Sequence, residues 1–260
     1  MRKLLAILLI FSGLSQAKGQ MWLDVGVKGG VGFDMLYNKN INDDPEFNQQ
    51  LSLGFNVGGK LGLNFNDFHE LTFDFLYYSY DQKYKYNVLN PVDNSKPQYL
   101  RTVKFSGLDF LLMYRHNNDG RYVEIGPQLS LVKNIAATDD YPGSTFGSLD
   151  LTSQIAPNFT SIVFGFGSYL IGTENFGMTT GVRLSYSFSD LIADNGQTHS
   201  FPTNSSAYSA TGPGSSLVDR SYASYTPTHV LTAMFIMEFN FDFAYLAKAK
   251  CSNKRKLVLF

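Results

Sequence analysis

The stretch WLDVGVKGGVGFDM, residues 22–35, sets Leu23, Val25, Val27, Val31, Phe33 and Met35 on alternate positions. Between them stand Trp22, Asp24, Gly26, Lys28, Gly30, Gly32 and Asp34. Alternation with a period of two specifies a β-strand, because successive side chains point to opposite faces of a sheet. The apolar face must then be covered, either by a protein core or by lipid.

The pattern returns along the chain. Residues 51–65 line up Leu51, Leu53, Phe55, Val57, Leu61, Leu63 and Phe65 against Ser52, Asn56, Lys60, Asn64 and glycines. Near 70–80, Leu71, Phe73, Phe75 and Tyr77 oppose Glu70, Thr72 and Asp74; at about 101–115, Leu108, Phe110, Leu112 and Tyr114 oppose Asp109 and Arg115. Residues 121–133 alternate Val123, Ile125, Leu129 and Leu131 with Glu124, Gln128 and Ser130. The least clean run, about 160–172, carries Ile162, Phe164, Phe166 and Leu170 against glycines and Tyr169. Residues 177–189 set Met178, Val182, Leu184, Tyr186 and Phe188 against Arg183 and serines. The last run, 229–245, sets Leu231, Phe235, Met237, Phe239, Phe241, Phe243 and Tyr245 against Glu238, Asn240 and Asp242. Eight strands are expected.

Their connections alternate in length. NDFH, NNDG and TENF are short, whereas the others are long and polar, the last running from about 190 to 228. NNDG is a hairpin signal, since Asn and Gly accept the positive φ of tight turns. The apolar residues are even-numbered before it and odd-numbered after it, which predicts a two-residue turn across Asn118 and Asp119. The other two short connections do not switch parity and are expected to hold an odd number of residues.

A soluble sandwich would present Lys, Glu and Thr to water on its polar face. Here that face is built from Gly26, Gly30, Gly32, Gly54, Gly58, Gly62 and Gly181, interleaved with isolated charges. Glycine weakens a strand and marks close approach by something else, here long charged side chains crossing a narrow interior. The inward set is Asp24, Lys28, Asp34, Lys60, Glu70, Asp74, Arg101, Asp109, Arg115, Glu124, Arg183, Glu238 and Asp242, eight acids and five bases able to pair. Even strand number with alternating short and long connections fits an outer-membrane barrel, whose closure satisfies every backbone group. The expected fold is therefore all-β: an eight-stranded antiparallel transmembrane β-barrel with short periplasmic turns and long extracellular loops. Aromatics bunch near the strand ends, Trp22, Phe68, Tyr114, Tyr122, Phe176 and Tyr245 at one and Tyr77, Tyr78, Tyr80 and Tyr84 at the other. They are expected to form interfacial girdles. An eight-stranded barrel is just wide enough to be filled by side chains, so a plugged lumen is expected.

Composition agrees. Aromatics make up 15% of the chain and the net charge is −1, which gives no argument for nucleic acid. A mean hydropathy of −0.12 is what a lipid face and a wet face average to. Outside the N-terminus no apolar run approaches the roughly eighteen residues of a spanning helix. Residues 1–19 read as a secretory signal peptide: MRK, then LLAILLIFSGL, then a small-x-small SQA, with cleavage after Ala17 or Gly19. An N-terminal anchor helix is the alternative. Residues 20–245 form the barrel and 246–260 a basic periplasmic tail with Lys248, Lys250, Lys254, Arg255 and Lys256, suited to anionic headgroups or a partner protein. The single cysteine, Cys251, has no intramolecular partner.

The leader followed by GVKGGVGFDML, the eight alternating runs and the terminal MEFNFDFAY resemble the small outer-membrane β-barrel domain family that includes PorT-like proteins. The resemblance spans roughly residues 20–245. It implies an outer-membrane location and contact with the barrel-assembly machinery and membrane lipids. It also implies a non-enzymatic role in which surface loops serve binding, adhesion or envelope integrity. Two alternatives stay open, a PorT-like accessory component of a secretion machine and a lipid A-modifying barrel enzyme.

An enzyme would need a nucleophile or base held near the outer surface. His69 and His116 fall in short turns at the other end, while His199 and His229 flank the last loop with Ser200 and Asp219 nearby. A loop so rich in serine brings such residues together by chance, so no catalytic residue, cofactor or metal ligand is expected. Two outward lysines, Lys104 and Lys133, fall opposite each other on the register set by the turn. They are expected to hold a phosphate of the outer-leaflet glycolipid. On this topology the last loop, with Arg220, lies outside and both termini lie in the periplasm.

Overall fold

The computed structural model describes residues 21–45, 47–87, 98–140, 148–173, 175–193 and 225–247. The expected signal peptide at residues 1–19, the expected basic tail with Cys251, and His199, Ser200, Asp219 and Arg220 lie outside the described residues. The elements are β1 (Met21–Asn38), a short helix α1 (Lys39–Asp43), β2 (Phe47–Gln50), β3 (Ser52–Phe65), β4 (His69–Asn87) and β5 (Gln98–Asn118). They continue with β6 (Arg121–Asp139), β7 (Leu149–Asp150), β8 (Asn158–Gly172), β9 (Phe176–Ser187) and β10 (Thr228–Ala247).

Eight of these strands close a ring in the order β1, β3, β4, β5, β6, β8, β9, β10, with every neighbouring pair antiparallel. The fold is an eight-stranded antiparallel β-barrel. The seam joins the first and last strands along their whole length, from Met21 opposite Ala247 to Asn38 opposite Thr228. Two short strands extend the wall, β2 on β4 and β7 on β6.

The turns follow local chemistry. Phe65 pairs with His69 around Asn66, Asp67 and Phe68, an odd turn as the parity requires, with Asn66 left-handed at φ 60°. Asn118 pairs with Arg121, so the two-residue turn is Asp119–Gly120, one position beyond the expected Asn118–Asp119. Both central residues have positive φ, 46° and 76°, as a type I′ turn demands. The expectation of an odd third turn is overturned. Gly172 pairs with Gly177 across an even stretch, and a register shift between Tyr169 and Ile171 supplies the parity change that the turn does not. That irregularity is why the run at 160–172 alternates poorly.

The outer wall carries a belt of exposed apolar side chains on every barrel strand, among them Val31 (61% exposed), Val57, Phe75, Leu112, Ile125, Phe164, Leu184 and Phe235. Such a continuous apolar face around a closed wall has no protein core to meet; it suits lipid.

Above the belt the logic inverts. On β4, Tyr77 is 40% exposed and Tyr78 fully buried. From there upward Tyr78, Tyr80, Gln82, Tyr84 and Tyr86 face inward, while Ser79, Asp81, Lys83 and Lys85 take the outer positions. β6 changes face by a bulge. Ser106 pairs with Asn134 and Gly107 with Val132, which leaves Lys133 as the extra residue, so Ser130 and Ile135, of opposite parity, both point inward. The tall wall of β4, β5 and β6 thus encloses a conventional hydrophobic core. Tyr78, Tyr80, Tyr84, Phe105 and Ile135 pack with Leu36, Ile41 of α1, Leu151, Ile155, Leu191 and Ile192, which close the top. Beside them Asp150 accepts hydrogen bonds from the Thr152 backbone N–H (2.9 Å) and hydroxyl (2.6 Å), which hold its carboxyl below the usual range.

The girdle expectation is corrected accordingly. Tyr78, Tyr80, Tyr84, Trp22 and Tyr122 are all buried inside the barrel, whereas Phe68, Tyr77 and Tyr114 are exposed on the outside. Rings placed inward fill volume that the small barrel must not leave empty.

Candidate functional site

Toward the short-turn end the lumen is a layer of buried ion pairs. Lys28 Nζ lies 2.6 Å from Asp74 and 2.8 Å from Glu238. Lys60 Nζ reaches Glu238 at 2.9 Å and Asp24 at 3.5 Å, and also pairs with Glu70. Arg115 binds Glu238 with both terminal nitrogens at 2.9 Å, Glu124 at 2.9 Å and Glu70 at 3.4 Å. Arg183 closes the circuit, to Asp74 at 2.7 Å and Glu124 at 2.5 Å. Every one of these side chains is buried. Each charge loses its water, and only the dense mutual pairing of four bases and five acids offsets that loss.

Inward glycines make the layer possible. Gly165 stands between Glu124 and Arg183 in one cross-strand row, and a methyl group there would meet Glu124 at 2.7–3.1 Å. The ion pair therefore passes directly over bare backbone. Other glycines receive rings: Tyr122 lies over Gly167 and Gly181, and Tyr78 over Gly107. Tyr122 also floors the network, its ring 4.2 Å from the Arg115 guanidinium. This residue was missed as a lumen component, and the inward Gly167 and Gly181 facing it were the available signal.

The other expected lumen residues sit apart from this layer. Asp109 is buried higher up and accepts a hydrogen bond from Ser130 at 2.6 Å, with Gln128 donating to Ser130 at 2.9 Å. Asp34 and Arg101 are buried in the upper half, Arg101 with its guanidinium 5.7 Å from the Tyr86 ring. Asp242 is half-buried at the short-turn end, its backbone N–H donating to Asn175.

Where β1 and β2 splay apart at the rim, side-chain amides replace the ladder. Gln82, fully buried, accepts from the Leu36 N–H at 2.9 Å and donates to the Gln50 and Lys83 carbonyls at 3.0 Å. Gln49 donates to the Leu36 carbonyl at 2.9 Å and to Gln82 at 3.0 Å.

The expected pairing of Lys104 with Lys133 is overturned. Lys104 pairs with Ala136 on one side and Asp81 on the other, its Nζ 3.9 Å from the Asp81 carboxylate, and Lys133 occupies the bulge. Both lysines are exposed on the outer wall. The turn displacement and the bulge together shift the register that had set them face to face.

The described histidines are His69, His116 and His229. His69 shares a 2.7 Å hydrogen bond with the Tyr114 hydroxyl and lies beside His116, ring centroids 5.2 Å apart, at the short-turn end. His229 stacks on Tyr186, and its Nδ1 has no hydrogen-bond partner among the described residues. Among those residues there is also no cluster of three metal-ligating side chains.

No family model matches the chain, and no curated protein sequence does. Solved structures similar to it include Neisserial surface protein A, with 13% identity over 85% of this chain and 97% of that one at a TM-score of 0.37. Another is Ail, the attachment invasion locus protein of Yersinia pestis, solved in complex with the heparin analogue sucrose octasulfate. It shows 15% identity over 85% and 99% of the two chains at a TM-score of 0.37. A third is the outer membrane protein OprG from Pseudomonas aeruginosa, with 10% identity, 88% and 99% coverage, and a TM-score of 0.38. The barrel assignment rests on the closed strand ladder of this chain.

Proposed function

We propose that this chain is a non-enzymatic outer-membrane β-barrel protein that acts through its surfaces and not through a pore. The observation that carries the reading is the double closure of the lumen. A layer of mutually paired charges lies below, and a hydrophobic core around Tyr78, Tyr80 and Phe105 lies above it. Passage through such a barrel would require both layers to open, so the surfaces left for a partner are the outer wall and the rim. The apolar belt supports a membrane setting, and the N-terminal leader supports secretion to reach it.

The experiment is planar-bilayer recording of the purified, refolded protein beside a general porin, with cell fractionation of the native protein. No stable conductance and recovery with outer membranes are expected; reproducible porin-sized steps would overturn the reading. The accessory role in secretion implied by the PorT-like resemblance is a finer version of the same proposal. A secretion defect on deletion would select it, and an altered glycolipid mass would instead select an enzyme.

A further inference from the structure

The lysines of this barrel are unevenly placed. Lys28 and Lys60 are in the lumen and Lys39 is in α1. Every other described lysine, namely Lys83, Lys85, Lys104 and Lys133, stands on the outer face of the tall wall formed by β4, β5 and β6. They climb it one per cross-strand row. Lys133 sits at the bulge beside Ser106, Lys104 opposite Asp81, Lys83 opposite Thr102, and Lys85 opposite Leu100. With about 3.3 Å of rise per residue and strands tilted about 40°, each row stands roughly 5 Å above the last. The lowest row begins directly above Tyr77, Leu108 and Leu131, where the apolar belt ends.

We propose that this wall binds the phosphate-bearing headgroup of an outer-leaflet glycolipid, with its acyl chains on the belt below. The inference rests on the membrane reading above and names the partner of the outer wall. Three features select this ligand. The cations start in the row directly above the last outward apolar residues of this wall, Tyr77, Leu108 and Leu131. None of Lys83, Lys85 and Lys133 is ion-paired among the described residues, and Lys104 has only Asp81 at 3.9 Å. The neighbouring outward side chains Thr102, Ser106, Asn134 and Thr138 are polar and uncharged, able to donate to phosphate oxygens. Among the described residues the carboxylates on the same wall are fewer than its lysines: Asp81 faces Lys104, Asp140 accepts from the Leu100 N–H, and Asp150 accepts from Thr152. The bulge at Lys133 contributes directly, because it leaves both Lys133 and Asn134 exposed on the outside of β6.

The test uses the full-length protein refolded into phosphatidylcholine vesicles containing bisphosphorylated lipid A, the same lipid A with its phosphates removed, or neither. Glycolipid retention after detergent extraction is read by mass spectrometry. The wild type is expected to retain the bisphosphorylated form at least about tenfold over the dephosphorylated one, with the preference weakening as salt rises. Lys83→Gln, Lys85→Gln, Lys104→Gln and Lys133→Gln combined should abolish that preference while the barrel still runs as a folded band on unheated gels. A Lys39→Gln and Arg121→Gln control should keep it. Equal retention of both glycolipids by the wild type, or an undiminished preference in the fourfold variant, would overturn the proposal and leave the membrane reading intact. Competition by inorganic phosphate at millimolar concentration with no dependence on acyl chains would also overturn it, as a free-anion site. Failure of the wild type to insert into any vesicle would overturn both.

Discussion

Arg115 on β5 and Glu238 on β10 grip each other through two 2.9 Å hydrogen bonds although their strands stand on opposite sides of the ring. The pair is a strut across the barrel, and Glu70, Glu124, Lys28 and Lys60 brace it. Arg115→Met leaves three carboxylates facing one another without their shared cation. A loss of about 3–5 kcal/mol is expected, the scale of a broken buried ion pair. Urea unfolding in detergent measures it. Arg115→Lys should recover only part of the loss, since an ammonium cannot make the forked contact. A change under about 1 kcal/mol in Arg115→Met would contradict the strut.

Gly165 is the test of what the inward glycines are for. A side chain there collides with a Glu124 that Arg115 and Arg183 hold in place. Gly165→Val should cost about 1–3 kcal/mol, as overpacking does. At Gly172 an added methyl group would meet nothing within 4 Å, and alanine should be accepted there with little change. Equal effects at the two positions would remove the steric explanation.

Gln82 tests the rim. Gln82→Leu keeps the bulk and strands the Leu36 N–H, for about 1–3 kcal/mol, while the Gln50 carbonyl keeps the Ser52 hydroxyl as donor. Hydrogen exchange is expected to quicken at Leu36 while the Val27 and Val57 amides, well below the rim, keep their protection. Uniform loss of protection would show that the amide cluster serves the whole barrel and not this corner.

The two layers of the plug should act independently against permeation. Tyr78→Ala should weaken the protein by about 3–5 kcal/mol, as large-to-small core changes do, yet leave bilayers non-conducting because the ion-paired layer stays below it. Steps of conductance in this single variant would assign the seal to the aromatic layer alone.

Much of this was legible in the residues. The period of two in residues 22–35 gave the outward face of β1, and the same parity rule put Lys28, Lys60, Arg115, Arg183 and their carboxylates inside. Side-chain parity needs only a strand and a face, both local. What was not legible depended on events that parity alone cannot report. Tyr77 and Tyr78 differ by one position and read alike as interfacial, but the strand carries on past the apolar belt and the apolar set changes sides between them. The phrase Ser79-Tyr80-Asp81-Gln82-Lys83-Tyr84 held that signal, an alternation continued with its parity exchanged. The bulge at Lys133 and the turn at Asp119–Gly120 each moved the β5–β6 register, and the Lys104–Lys133 pairing failed on their sum.

The β1–β10 seam has a consequence in time. Its two strands are the first and last of the barrel, so every one of their contacts spans nearly the entire described chain, from Met21 with Ala247 to Asn38 with Thr228. Until β10 has arrived, β1 and β9 are both open edges, costly in lipid and sticky in water. A truncated or still-emerging chain can build hairpins but has no way to shut. Closure therefore depends on length: only a chain that includes β10 can withdraw its edges, and the Glu238 that completes the central strut arrives on the same strand that shuts the door.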